Sequence, residues 1–178
     1  MKLHIGCGKK YLPGFKHVDV IAFDHVDFVC DARRLEKIED NSVSEIYACH
    51  ILEHVERGEV VGVLREWARV LHPGGVLRLA VPDFEAVATE YLENRDLMNM
   101  QGLLYGGQTY DYNFHHVAFD FISVQSMLRE AGFSKPERYD WRDFLPSENF
   151  DDYSRSYLPH MDFEQGRLMS LNITAKRL

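Results

Sequence analysis

Two glycines one residue apart, Gly6 and Gly8, follow the short apolar run Leu3 to Ile5, and Asp19 ends the next such run. Glycines at this place let the backbone turn sharply and let a ligand approach where a side chain would collide. A carboxylate at the end of the neighbouring strand can accept hydrogen bonds from both hydroxyls of a ribose. Together they describe an adenosine site. The dinucleotide version of such a site fits poorly, because Tyr11 stands where a third glycine is wanted and Asp19 comes sooner than the usual acid about 20 residues on. Further along, "HILEH" (50–54) spells His-x-x-Glu-His, the inverted zinc-protease signature. His50 ends a buried strand rather than lying within a helix, and no third ligand stands out. No metal is expected, Glu53 and His54 are assigned to packing and hydrogen bonding at the pocket floor, and His50 is placed nearest the chemistry. His115 and His116 are further candidate bases.

Elements that could hold these residues follow from the apolar pattern. Short buried runs at 3–5, 17–20, 27–30, 45–49 and 76–81 read as strands. Between the last two, Val60, Leu64, Trp67 and Leu71 share one helical face, and "HPGG" stops that helix. A later helix carries Val124, Leu128 and Ala131 and ends at Gly132, and the tail "LMSLNITAKRL" alternates as a strand. Strands alternating with helices predict a parallel sheet with helices on both faces. In such sheets ligands sit beyond the carboxyl ends of the strands. The chemistry should lie in "GCG" after the first strand, at Asp19 at the end of the second, at Asp31 after the third, in "CHILEH" after the fourth and in "PDF" after the fifth.

At 178 residues the chain is expected to form one domain, 1–178, with insertions at about 84–120 and 140–166. Its formal net charge of -8, from 28 acidic and 20 basic residues, argues against a nucleic-acid partner. The three cysteines, Cys7, Cys30 and Cys49, are too few and too widely spaced for a disulfide framework. No apolar run is long enough to span a bilayer, and "MKLHIGCG" has no signal-peptide pattern, so a cytoplasmic location is expected.

"LHIGCG", "VDV", "CDA", "IYACHILEHV" and "EWARVLHPGGVLRLAVPDF", in this order over residues 2–84, resemble the class I S-adenosylmethionine-dependent methyltransferases. Within that family the chain is similar to a short bacterial group often associated with cell-surface polysaccharide genes, for which "GGQ", "HH..FD" and "SLN" are also reminiscent. The resemblance implies a Rossmann-like, doubly wound, mostly parallel α/β sheet of about seven strands with an antiparallel last strand. It implies S-adenosylmethionine as cofactor. Gly6, Cys7 and Gly8 would pack against its methionine part, and Asp19 with Val20 would hold the ribose. Asp31 and Ala32 would border the adenine, and Cys49 and His50 would line the pocket near the sulfonium. Cys7 and Cys49 would be pocket walls rather than nucleophiles. Family members usually carry helices before the first strand, whereas Met1 nearly begins it here, and only Cys7 to Phe15 join the first two strands. A parallel crossover normally takes a dozen residues. The first crossover helix should therefore shrink to a turn, and the pocket should lack part of its lid.

Both insertions should start at the carboxyl edge of the sheet and converge over the cofactor. Their aromatic residues, among them Tyr110, Tyr112, Phe114, Trp141, Phe144, Tyr153 and Tyr157, suit a sugar or small amphipathic acceptor. Asp83, Tyr110, His115, His116 and Trp141 are assigned to that acceptor. The fourth strand lacks the Asn-Pro-Pro-Tyr type of turn of amino-group methylation. A hydroxyl acceptor is expected, with His50 or His116 as base. The other function weighed is a non-catalytic, methyltransferase-like binding or assembly module. The alternative for the aromatic loops is a satellite core or an oligomer interface, so a homo-oligomer is also among the expected partners.

Overall fold

The computed structural model describes residues 1–146 and 150–178. Strands β1 (Lys2–Ile5), β2 (Lys16–Asp19), β3 (Phe28–Val29), β4 (Val43–Cys49), β5 (Leu71–Pro82), β6 (Glu137–Arg138) and β9 (Ser170–Lys176) form one seven-stranded sheet in the order β3-β2-β1-β4-β5-β9-β6. The chain order reverses between β1 and β4: the connections after β1 and β2 run to one side of the sheet, and the one after β4 runs to the other. All neighbours pair in parallel except β9, which runs antiparallel to β5 and β6. A small hairpin, β7 (Tyr157–Leu158) with β8 (Arg167–Leu168), stands apart from the sheet. The expected fold class is thus the observed one. The third strand is shorter than its apolar run suggested.

The helices are α1 (Val60–Val70), α2 (Phe84–Asn94), α3 (Gln101–Tyr105) and α4 (Phe121–Glu130). Period-two alternation sends Leu3, Ile5, Ile46, Ala48, Leu77, Leu79, Leu171 and Ile173 to one face of the sheet, where they meet Val60, Leu64 and Trp67 of α1 and Val124 and Leu128 of α4. This is the main core. Trp67 is fully buried, and its indole N–H donates to the Ala32 carbonyl at 2.9 Å.

The opposite face differs from expectation. It carries Tyr47 and Cys49, with His4, Glu45 and Arg78, and among the described residues it is covered by Leu12, Trp141, Phe144, Leu145 and Phe150 from connecting segments rather than by a long helix. The cause lies in the crossovers. Residues 7–15 contain only turns, as the short first connection required, and no helix follows β2 or β3. Part of the late insertion fills the space instead. Polar strand residues are satisfied there by pairing: Glu45 bridges Lys2 and Arg78 at 2.7 Å each, and the Arg78 guanidinium lies 4.8 Å from the Phe144 ring centre.

Two helix ends show how locally the sequence acts. Gly132 has φ +90 just past α4, and the Phe133 N–H returns to the Leu128 carbonyl at 2.9 Å, the left-handed stop that its position predicted. At the other end Asp120 accepts from the Ser123 N–H at 2.7 Å, while the Ser123 hydroxyl faces the Asp120 N–H at 3.1 Å. This reciprocal cap satisfies two otherwise free donors. Asp120→Ala is expected to destabilise the protein by about 1 kcal/mol, read as a lower denaturation midpoint at unchanged slope.

Candidate functional site

Beyond the carboxyl ends of β1, β2, β3 and β4 opens a cleft of about 920 Å³. That is near the upper end of the roughly 300–1,000 Å³ typical of small-molecule sites. Gly6, Cys7, Gly8, Asp19, Val20, Asp31, Ala32, Cys49 and His50 all line it, as do Tyr110, His115 and His116. Residues from remote parts of the sequence therefore meet at one sheet edge.

The first wall is the β1–β2 corner. Gly6 has φ +64 and Gly8 φ +53, and the Gly6 N–H bonds to the Val18 carbonyl at 2.8 Å. A Cβ on Gly6 would stand 1.9 Å from Ile51 Cδ1, so Gly6 is needed for packing as well as for its turn. A Cβ on Gly8 would meet nothing within 4 Å. Asp19 fastens this corner: its Oδ2 accepts the Gly8 N–H at 2.8 Å and its Oδ1 the Ile21 N–H at 2.9 Å. A carboxylate offers about four acceptor sites, so capacity remains toward the cleft. The Cys7 thiol is pushed up to about 12 by burial and by Asp19, and burial likewise raises Cys49 well above the ordinary range. Both are neutral walls, not nucleophiles.

Asp31 is more occupied. It accepts the Arg33 N–H at 2.8 Å and takes the Arg33 guanidinium in a bidentate pair, with Nη2 to Oδ2 at 2.7 Å, which holds its carboxyl below the usual range. It is both a turn cap and a cleft wall.

At the floor, His50 has φ +53, an uncommon conformation for a residue with a side chain, and its N–H donates to the Ala80 carbonyl at 2.8 Å. Both ring nitrogens are engaged. Asn172 donates its amide to the Ser154 carbonyl at 2.7 Å, so its Oδ1 takes the Ser170 hydroxyl proton at 3.0 Å. His50 Nε2 must then donate to Ser170 Oγ, 3.1 Å away. His50 Nδ1 lies 3.1 Å from Oε1 of Glu53, a fully buried carboxylate. Burial alone would raise the Glu53 carboxyl; facing His50 and His54 outweigh it and hold the carboxyl below its ordinary range.

The remaining wall comes from the first insertion. His115 Nδ1 faces the Leu103 carbonyl at 3.0 Å, and burial lowers its pKa. The His116 N–H donates to the Glu53 carbonyl at 2.8 Å, while its ring, 38% exposed, has Nδ1 3.5 Å from Glu56. The second insertion is divided. Tyr153, Ser156, Tyr157 and His160 reach the cleft, but Trp141 is buried on the second sheet face between Arg142 and Arg155, with Phe163 beside it. Asp83 is also outside the cleft lining. It is buried as the N-cap of α2, accepting the Glu85 N–H at 3.1 Å, and pairs with Arg138 at 3.3 Å. Neither residue lines this cleft: Trp141 packs in the apolar cluster on the second sheet face, and Asp83 caps α2. Asn113 and His160 also line the cleft and carry no sequence signal of their own. No helix among the described residues is long and apolar enough to cross a membrane.

Residues 3–79 match a family described as "Methyltransferase domain". No curated protein matches the chain in sequence. Among solved structures, Burkholderia thailandensis 1,6-didemethyltoxoflavin-N1-methyltransferase, with bound 1,6-didemethyltoxoflavin and S-adenosylhomocysteine, is similar at TM-score 0.61 and 16% identity, over 99% of this chain and 70% of that one. A SAM-dependent methyltransferase from Methanosarcina mazei is similar at TM-score 0.55 and 16% identity, over 99% and 92%. Another from Archaeoglobus fulgidus is similar at TM-score 0.56 and 15% identity, over 99% and 85%. The family match covers the strands that build the glycine corner and the cleft floor, and the fold is shared over nearly the whole chain. Residues 3–79 are thus similar to a methyltransferase domain, and the whole chain shares its fold with solved S-adenosylmethionine-dependent methyltransferases.

Proposed function

We propose that this protein is an S-adenosylmethionine-dependent methyltransferase that holds its cofactor against the Gly6–Gly8 corner and transfers the methyl group to a hydroxyl of a small molecule or saccharide. The observation that carries the cofactor site is the open space in front of Gly8, bordered by a carboxylate with acceptor capacity to spare. S-adenosylmethionine, when bound, supplies an electrophilic methyl on a sulfonium. The chain's own residues bind and orient it: Asp19 takes the ribose hydroxyls, Val20 and Ala32 flank the base, and Cys7 and Cys49 present neutral, close-fitting walls. Asp31 reaches the adenine edge only as far as its pairing with Arg33 allows.

The hydroxyl acceptor is supported by the aromatic and histidine-rich wall at Tyr110, His115, His116 and Tyr153. Positioning supplies much of the rate in such a transfer. A base must still take the hydroxyl proton. With both nitrogens of His50 committed inside the protein, His116 is the better placed of the two candidates: Glu56 lies at its Nδ1, which leaves Nε2 to the cleft.

Asp19→Ala is expected to weaken binding of S-adenosylmethionine and S-adenosylhomocysteine by about 1.5–3 kcal/mol, the range for hydrogen bonds to a charged group. Calorimetry with the full chain reads this directly, and unchanged affinity would remove Asp19 from the site. Incubation with labelled cofactor and separate pools of sugar nucleotides, glycans, small phenols, tRNA and protein tests the acceptor. Label only in tRNA or protein would refute the small-molecule assignment. Label in no pool, with cofactor bound, would favour a non-catalytic module, for which the helix-free β1–β2 crossover is the supporting feature.

A further inference from the structure

Glu53 is an unusual group to find at the floor of a cleft. Its side chain is fully buried, and among the described residues neither carboxylate oxygen accepts a hydrogen bond of good geometry. Oε1 has His50 Nδ1 at 3.1 Å and His115 Nε2 at 4.0 Å. Oε2 has no hydrogen-bond partner among the described residues. A buried carboxylate left this way costs free energy unless a cation or several donors face it.

Two imidazoles are prepared to share such a cation. His54 Nδ1 faces the Phe114 carbonyl at 3.0 Å, and His115 Nδ1 faces the Leu103 carbonyl at 3.0 Å. A carbonyl only accepts, so both histidines carry their proton on Nδ1 and keep the Nε2 lone pair free. This arrangement fixes the tautomer and ring direction of metal-bound histidines. One ligand atom each from Glu53, His54 and His115 lie within 4.8 Å of one another. Tetrahedral metal–ligand bonds of about 2.1 Å would set them about 3.4 Å apart, so the three side chains must draw inward.

We propose that Glu53, His54 and His115 form a binding site for a divalent first-row transition cation of the zinc type. Two imidazoles and one carboxylate select such ions over magnesium or calcium, which prefer all-oxygen sites. The "HILEH" segment thus contributes Glu53 and His54, while its own His50 acts behind Glu53 rather than on the ion. The third ligand arrives from the far end of the first insertion. Both histidines line the cleft, so the coordination positions left open by three protein ligands face it. On the methyltransferase reading, that opening adjoins the acceptor's place. The ion also ties residues 103–116 to the turn that follows β4.

The full chain, stripped of metal by a chelator and dialysed, can be titrated with Zn²⁺ by calorimetry and with Co²⁺ by visible absorption. One equivalent should bind, with Co²⁺ giving ligand-field bands of a nitrogen and oxygen site. His54→Ala and His115→Ala should each weaken Zn²⁺ binding by more than about a hundredfold, beyond the loss typical of a mere outer-shell partner. His72→Ala, at a half-buried histidine away from the cleft, should bind as the parent does. Glu53→Gln is checked for folding by circular dichroism, and the two histidine variants decide the matter should it not fold. Substoichiometric binding, or parent affinity in His115→Ala, overturns the site. Binding of S-adenosylhomocysteine is measured on the same samples: cofactor binding without Zn²⁺ binding sinks the metal site alone, and the reverse sinks the cofactor site alone.

Discussion

His116→Gln should lower kcat by about 10²- to 10⁴-fold, the usual contribution of a positioned base, while leaving the affinity for S-adenosylhomocysteine unchanged. Glutamine keeps a polar side chain of similar reach but cannot accept a proton. The imidazole is tethered at both ends of its residue. Its backbone N–H is held by the Glu53 carbonyl at 2.8 Å, and Glu56 lies 3.5 Å from Nδ1, which aims Nε2 outward. Glu56→Gln should accordingly show a smaller loss in the same direction, since it alters the aim of His116 and not its chemistry. His50→Gln is the informative contrast. His50 faces the buried Glu53 carboxylate at 3.1 Å and donates to Ser170, so its replacement should act mainly on stability. Single-turnover rates for the three variants separate these roles. A full-rate His116→Gln enzyme, or a loss of rate confined to His50→Gln, would transfer the base to His50.

The parts of this molecule that could be read from sequence are those in which burial follows a period. Leu3 and Ile5, Ile46 and Ala48, Leu77 and Leu79, and Leu171 and Ile173 alternate because one sheet face packs on helices, and α1 shows its stripe because Val60, Leu64 and Trp67 meet that face. Helix α2 left no such trace. Its buried residues are Val87 and Glu90, while Phe84, Tyr91 and Leu92 point to solvent, so residues 84–94 look like the start of an insertion. The second sheet face was illegible for a related reason. Its cover is a set of single aromatic residues in irregular chain, and nothing in the spacing of Trp141, Phe144 and Phe150 says whether they face a ligand or a sheet. At the cleft, the glycine corner and Asp19 are local to consecutive strands and could be read directly. The meeting of Glu53 and His54 with His115 depends on how the first insertion returns, which a single sequence does not encode in any short motif.

Gly8→Val is expected to abolish binding of S-adenosylmethionine and S-adenosylhomocysteine while leaving a cooperatively folded protein, and Gly6→Val should instead compromise the fold. The two glycines share positive φ, so a side chain at either costs about 1–2 kcal/mol in backbone strain. What a side chain meets sets them apart. At Gly6 the first added carbon already stands 1.9 Å from Ile51 Cδ1, inside the packing between the β1 corner and the segment after β4. At Gly8 it meets nothing within 4 Å beyond its own chain neighbours, and Gly8 lines the cleft. Strain alone therefore lowers the stability of Gly8→Val without removing its core, and the valine methyls occupy the volume that the cofactor needs. The Gly8 N–H must also keep its bond to Asp19 Oδ2, so the bulk added there disturbs the carboxylate assigned to the ribose as well. Denaturant unfolding with calorimetry on both variants tests the pair. A Gly8→Val protein that unfolds cooperatively and binds S-adenosylhomocysteine with parent affinity would place the cofactor elsewhere in the cleft, away from the β1 corner.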